Sequence, residues 1–138
     1  MKHLLAVVII LITCSFNQPV KNYNPDGQSK LVLYRNKEYV GSAANSKILV
    51  NGEEICKLSN NRYIEYSIDP GKIVISAKIG MSKPTILKME TEANKTYYIM
   101  VGFKQSLINA KSILTEVTER TAKEDMDGMK IDNCEASK

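Results

Sequence analysis

The chain has 138 residues, a formal net charge of +4, three cysteines, no tryptophan and one histidine. That length allows one domain around one core, and 43% hydrophobic with 25% charged residues excludes wholesale disorder. The mild positive charge is not gathered into a basic block of the nucleic-acid-binding kind. His3 lies in a segment read below as removed, so histidine nucleophile pairs and histidine metal sites drop out.

Residues 1–13 open with Met-Lys-His and continue as the apolar run 4–12, which stops at Thr13-Cys14-Ser15. A membrane span needs about 20 apolar residues, so this short run reads as an export signal. Leu11-Ile12-Thr13-Cys14 resembles the lipobox of bacterial lipoproteins, which implies that Cys14 is acylated and becomes the first mature residue. An ordinary cleavage site with an incidental cysteine is the alternative. Residues 14–30 are polar, carry two prolines and show no periodicity, so they are expected to be a flexible tether behind the lipidated cysteine.

From residue 31 the pattern is one of short β-type segments. Residues 31–35 form a compact apolar run, and 47–50 leads into Asn51-Gly52, a hairpin signal because both residues tolerate positive φ. The return strand is 53–58, and Asn60-Asn61 makes the next turn. Residues 62–68 alternate, with Ile64, Tyr66 and Ile68 on one face. Asp69-Pro70-Gly71 follows, in which proline presets φ and glycine accepts a positive one. Residues 72–79 then alternate again, and further strands are expected at 85–91, 96–103 and 112–118. Residues 119–126 favour a short helix ended by Gly128. The fold class is therefore all-β: a small antiparallel β-sandwich of about 7–8 strands with a short C-terminal helix. It spans 31–128 and is followed by a flexible tail at 129–138.

The strand opening at Leu31, Tyr34 and Arg35, the hairpin at 48–53, the Asp69-Pro70-Gly71 turn and the segment Lys95-Thr96-Tyr97-Tyr98-Ile99 together resemble the DUF2846 family of small bacterial lipoprotein domains. The portion 50–72 also resembles PEGA-type domains. These resemblances imply a β-sandwich on an envelope lipoprotein, lipid-anchored and facing the periplasm. They supply no catalytic residue and no cofactor.

Candidate sites are few. Cys56 and Cys134 admit two readings, and the preferred one is a buried Cys56 with Cys134 free in the tail. The other is a disulfide pinning that tail to strand 53–58. Two cysteines without histidine make a poor metal site. Asp125, Asp127 and Gly128 fit positions 3, 5 and 6 of a calcium loop, but Lys123 and Cys134 fall where position 1 and the bidentate carboxylate belong. Tyr63, Tyr97 and Tyr98 are the candidate contacts for a ligand or partner, with Tyr97 and Tyr98 on opposite faces of their strand. Lys72, Lys78, Lys83 and Lys88, with Lys95 and Lys104, either guard the sheet edges or meet anionic head groups.

The reading that follows is a non-enzymatic, lipid-anchored adaptor or protein-binding module. It would meet the membrane through its anchor and an envelope protein through sheet surface or strand edges. No nucleic acid, metal, cofactor or small-molecule ligand is indicated. The rivals are a glycan- or peptide-binding protein using exposed tyrosines, an enzyme using carboxylates such as Glu65 and Glu90, and a structural spacer.

Overall fold

The structure, a computed structural model, describes residues 27–105 and 110–134. The expected signal segment at 1–13, Cys14 and most of the expected tether lie outside the described residues.

Among the described residues, nine strands and one helix follow in chain order: β1 (Ser29–Arg35), β2 (Ser46–Val50), β3 (Glu53–Leu58), β4 (Arg62–Ile68), β5 (Gly71–Ile79), β6 (Thr85–Thr91), β7 (Thr96–Gln105), β8 (Ala110–Val117), α1 (Glu119–Asp125) and β9 (Lys130–Ile131). They form two facing sheets, one ordered β8-β7-β1-β4-β9 and the other β3-β2-β5-β6. The all-β sandwich with a C-terminal helix is what the sequence patterning predicts.

The chain changes sheet four times, and the turn residues show how. Asn51 and Gly52 both take positive φ and close the β2–β3 hairpin. Asp69 and Pro70, by contrast, do not make a hairpin. They carry the chain from β4 in one sheet to β5 in the other, with Gly71 at φ 134° opening the new strand. Asn61 and Asn94, both at positive φ, serve the crossings into β4 and β7.

Alternation along the strands decides which residues fill the gap between the sheets. Ile73, Ile75, Ala77 and Ile79 of β5 point inward, opposite Leu31 and Leu33 of β1 and Ile99 and Val101 of β7. Each fully buried leucine or isoleucine there contributes about 2 kcal/mol of transfer free energy.

Two features depart from the expected antiparallel sandwich with a loose tail. First, β1 and β7 pair in parallel, in register from Lys30 with Thr96 to Tyr34 with Met100. The two strands lie far apart in sequence, and period-two patterning is identical for parallel and antiparallel neighbours. Second, residues 129–134 are tied down. β9 adds to β4 in parallel, and the Asp132 carboxylate accepts from the Ser59 amide at 2.7 Å. Cys134 is disulfide-bonded to Cys56, so the preferred reading of a free Cys134 gives way to the pinned tail.

Helix α1 lies on the outside of the five-stranded sheet. Thr118 caps it, its hydroxyl accepting from the Thr121 amide, and Ala122 is fully buried. The Tyr34 hydroxyl donates to the Asp125 carboxylate at 2.6 Å, which fixes the last turn of α1 over β1. Burial first, and the Asp125 carboxylate second, push the Tyr34 hydroxyl well above the ordinary tyrosine value of 10.0.

Two outcomes are expected. Cys134→Ala lowers the urea midpoint and steepens the slope as the unfolded chain is released, a loss of about 2–4 kcal/mol; an unchanged midpoint would show that the bridge carries no stability. Tyr34 stays protonated in the fold to higher pH than in the unfolded chain, so its contribution is fully present below about pH 10 and is lost as pH rises further. Tyr34→Phe should cost about 1 kcal/mol at neutral pH and show a smaller alkaline loss than the parent chain in pH-dependent denaturation.

Candidate functional site

Strand register places Lys30, Val32 and Tyr34 of β1 on the outer face of the five-stranded sheet. Tyr63 and Glu65 flank them on β4, and Thr96 and Tyr98 on β7. Tyr34 is roofed by α1, but the neighbouring stretch is open. There a groove of about 380 Å³ is bounded by Val32, Tyr63 and Tyr98 on the sheet and by Lys123, Met126 and Met129 from α1 and the turn after it.

Tyr63 and Tyr98 are both half-buried and stand diagonally on either side of β1, opposite Tyr34 and Val32, about 12 Å apart by strand spacing and rise. Val32 between them is itself buried, so a sugar ring or a peptide side chain would meet the two tyrosines and not Val32. Tyr97 is not part of the groove. It points into the sandwich and packs against the core, where its hydroxyl accepts from the Glu92 amide at 2.9 Å. The expectation that Tyr97 and Tyr98 face opposite ways holds, and the groove takes Tyr98.

The charges in the groove are already matched. Lys30 donates to Glu65 at 3.0 Å, with both side chains about half exposed. Lys123 and Glu119 form an ion pair at 2.6 Å one helical turn apart, which raises the lysine's pKa and lowers the carboxylate's. Burial and the nearby Glu119 raise the Tyr98 hydroxyl. The groove carboxylates Glu65 and Glu119 are thus each paired, and Asp125 is held by Tyr34. What remains is a surface of hydroxyls, two methionines and ion pairs.

Elsewhere the candidate residues are separated. Glu65 and Glu90 lie on outer faces of opposite sheets and do not converge. Asp125 is held by Tyr34, while Asp127 is exposed beside Gly128 at φ 74°. Cys56, Asp132 and Cys134 lie together, but both sulfurs are in the disulfide and present no thiolate to a metal.

Lys72, Lys78 and Lys88 share the outer face of the four-stranded sheet with Lys47 and Lys57. Lys83 and Lys104 sit at one end of the sandwich. Lys95, at the other, is paired with Glu92.

Sequence reasoning missed Lys123, Met126 and Met129 as groove residues. The signal was there: Ala122 and Met126, four apart, form the apolar stripe of a helix that needs a surface to cover.

Among the described residues no helix is long and apolar enough to cross a membrane. No curated protein matches the chain. A family model for a protein of unknown function, DUF2846, matches residues 25–113, which takes in β1 to β7 and the first half of β8. Helix α1, β9 and Cys134 lie beyond the matched span. The chain belongs to the DUF2846 family.

Proposed function

We propose that the protein is a lipid-anchored, non-enzymatic adaptor of the bacterial envelope, held through Cys14 and receiving a partner protein by strand addition at β6. The observation that carries this reading is the state of the four sheet edges. β3 is interrupted by a bulge at Ile55 and stapled to the tail through Cys56. The β4 side is covered by the two-residue β9 at Arg62 and Tyr63 only, which leaves 64–68 as a shorter five-residue edge. β8 packs against β5 and β6, and its Ser112 carbonyl is taken by the Thr85 hydroxyl.

β6 offers the longest regular run of these. It runs seven residues, keeps one unbroken antiparallel register with β5, and among the described residues has no strand paired on its other side, its contact with β8 lying at Thr85. Its alternating exposure places Ile86, 58% exposed, on the outer face next to the open edge. Proteins ordinarily blunt such an edge with bulges, prolines or inward-pointing charges. Here Pro84 stands just before the strand, and Lys88 and Glu90 point outward. A straight edge with alternate side chains available is what strand addition uses, backbone pairing supplying affinity and side-chain pockets selectivity.

A second reading is favoured by one observation: Tyr63 and Tyr98 share the outer groove, as a glycan- or peptide-binding protein would require.

The test is crosslinked co-purification from the native membrane fraction, with the intact mass of the same material reporting acylation at Cys14. Ile86→Lys should leave stability within about 0.5 kcal/mol. It should lower partner recovery roughly tenfold, equivalent to about 1.4 kcal/mol of binding. Thr115→Lys, on the outer face of β8, should leave recovery unchanged. Partner recovery that survives Ile86→Lys and is lost with Tyr98→Ala would move the function to the groove.

A further inference from the structure

The two ends of the sandwich differ in charge and in polarity. The chain enters β1 at the end formed by Gln28, the Asn51-Gly52 turn, the Asp69-Pro70 corner and the 92–95 turn. Lysines there have acidic neighbours: Lys30 pairs with Glu65, Lys95 with Glu92, and Lys72 stands opposite Glu90.

The opposite end carries the 36–45 and 80–84 loops and the tips of β7 and β8. Lys37, Lys83, Lys104 and Lys111 are exposed there, and none is within ion-pair distance of a described carboxylate. Lys104 stands directly opposite Lys111, a like-charge pair that costs stability unless an anion is nearby. One residue in from the same end, Lys47 is flanked by Lys57 on one side and Lys78 on the other. Among the described residues, Lys47 is the one of that row in an ion pair, with Glu54.

The apolar residues at this end project outward. Tyr39 is 88% exposed, Val40 58% and Met81 fully so. They are contiguous with the lysines. Lys37, Tyr39 and Val40 share a hollow with Gln105, Met81 and Lys83 share another with Ala110, and Gln105 pairs with Ala110.

The loop carrying Tyr39 is also held from beneath. Arg35, fully buried at the end of β1, donates to the Gly41 and Ala44 carbonyls and lies 3.5 Å from Glu38. The Glu38 carboxylate in turn accepts from the Phe103 amide, and the Asn60 side chain brackets the Glu38 backbone at 2.9 and 3.0 Å. Gly41 lies against the Phe103 ring so closely that an added Cβ would stand 2.7 Å from it. Burial lowers the Arg35 pKa, with the Glu38 charge opposing it. A buried cation committed to loop carbonyls holds Tyr39 and Val40 in the solvent instead of letting them fold back.

We infer that this end of the sandwich docks on an anionic phospholipid surface, with Tyr39, Val40 and Met81 entering the head-group layer and the surrounding lysines meeting the phosphates. Protruding aromatic and aliphatic side chains within a basic ring match a bilayer interface, whereas a soluble polyanion would gain nothing from the apolar tips. The docking does not depend on acylation, and it is compatible with it. The residues between Cys14 and Gln28 reach at most about 45 Å, and the ten-residue β7 is about 33 Å long. An anchored chain can therefore lay this end on the same leaflet.

Because the sequence holds no tryptophan, Tyr39→Trp places a single indole at the tip and Ala93→Trp a single indole at the opposite end. The full chain is reconstituted into vesicles whose acyl chains carry bromine, either phosphatidylcholine alone or mixed equally with phosphatidylglycerol. The indole at position 39 should shift to the blue and be quenched only in the mixed vesicles, reversibly with salt, while the indole at 93 stays unquenched in both. Combining Lys83→Glu, Lys104→Glu and Lys111→Glu, all at exposed positions, should weaken the quenching at 39 at least about tenfold. Quenching at 93 but not 39, no quenching at 39 in either vesicle, or quenching at 39 that ignores lipid charge would each overturn the inference. An emission shift at 39 with a soluble acidic polypeptide and none with vesicles would also overturn it, in favour of a protein partner.

Discussion

Strand β1 is buried on both faces. Five consecutive residues from Leu31 to Arg35 have almost no solvent exposure, although alternate residues of a strand point opposite ways. Leu31 and Leu33 are covered by the facing sheet, as in any sandwich. Tyr34 needs separate cover, and helix α1 supplies it with Ala122 against the sheet and Asp125 accepting from the tyrosine hydroxyl. The helix has only seven residues and would be marginal alone. Its placement rests on the Thr118 cap, on β9 beside β4 and on the disulfide that follows.

That arrangement decides which surfaces are left. The outer face of the five-stranded sheet is roofed at one end and reduced to a groove at the other. The same C-terminal segment is stapled to β3 and covers the first two residues of the β4 edge. Among the described residues, what stays open is the β6 edge beyond Thr85, the β4 edge beyond Tyr63, the lysine-bearing outer face of the four-stranded sheet, and the loop end above Arg35. The segment responsible lies beyond the span matched by the family model.

Local signals made much of the fold legible. Asn51-Gly52 closes a hairpin because of its φ requirements, and the period-two runs at 62–68 and 72–79 are strands with the expected inward faces. Long-range pairing was not legible. Nothing local distinguishes a strand that pairs in parallel, as β1 does with β7, from one that pairs antiparallel. Nor does spacing reveal that Asp69-Pro70 is a corner between sheets, or that Cys134 returns to Cys56 across 78 residues. The candidate site divides in the same way. Opposite orientation of Tyr97 and Tyr98 follows from strand geometry, whereas the choice of Tyr98 for the groove depends on which sheet face is the core. Tyr63 joins it only through β1, and Lys123 and Met126 only through the docking of α1.

The central functional claim is that β6 is the edge a partner completes. Amide hydrogen exchange resolved along the chain tests it most directly, comparing native membranes with the same protein released into detergent. The account predicts fast exchange at alternate amides of Thr85–Thr91 in the released protein, and protection of those amides in the membrane, with β3 and β8 unchanged. β6 amides that exchange equally in both states, with new protection confined to the Tyr63 and Tyr98 groove, would contradict it.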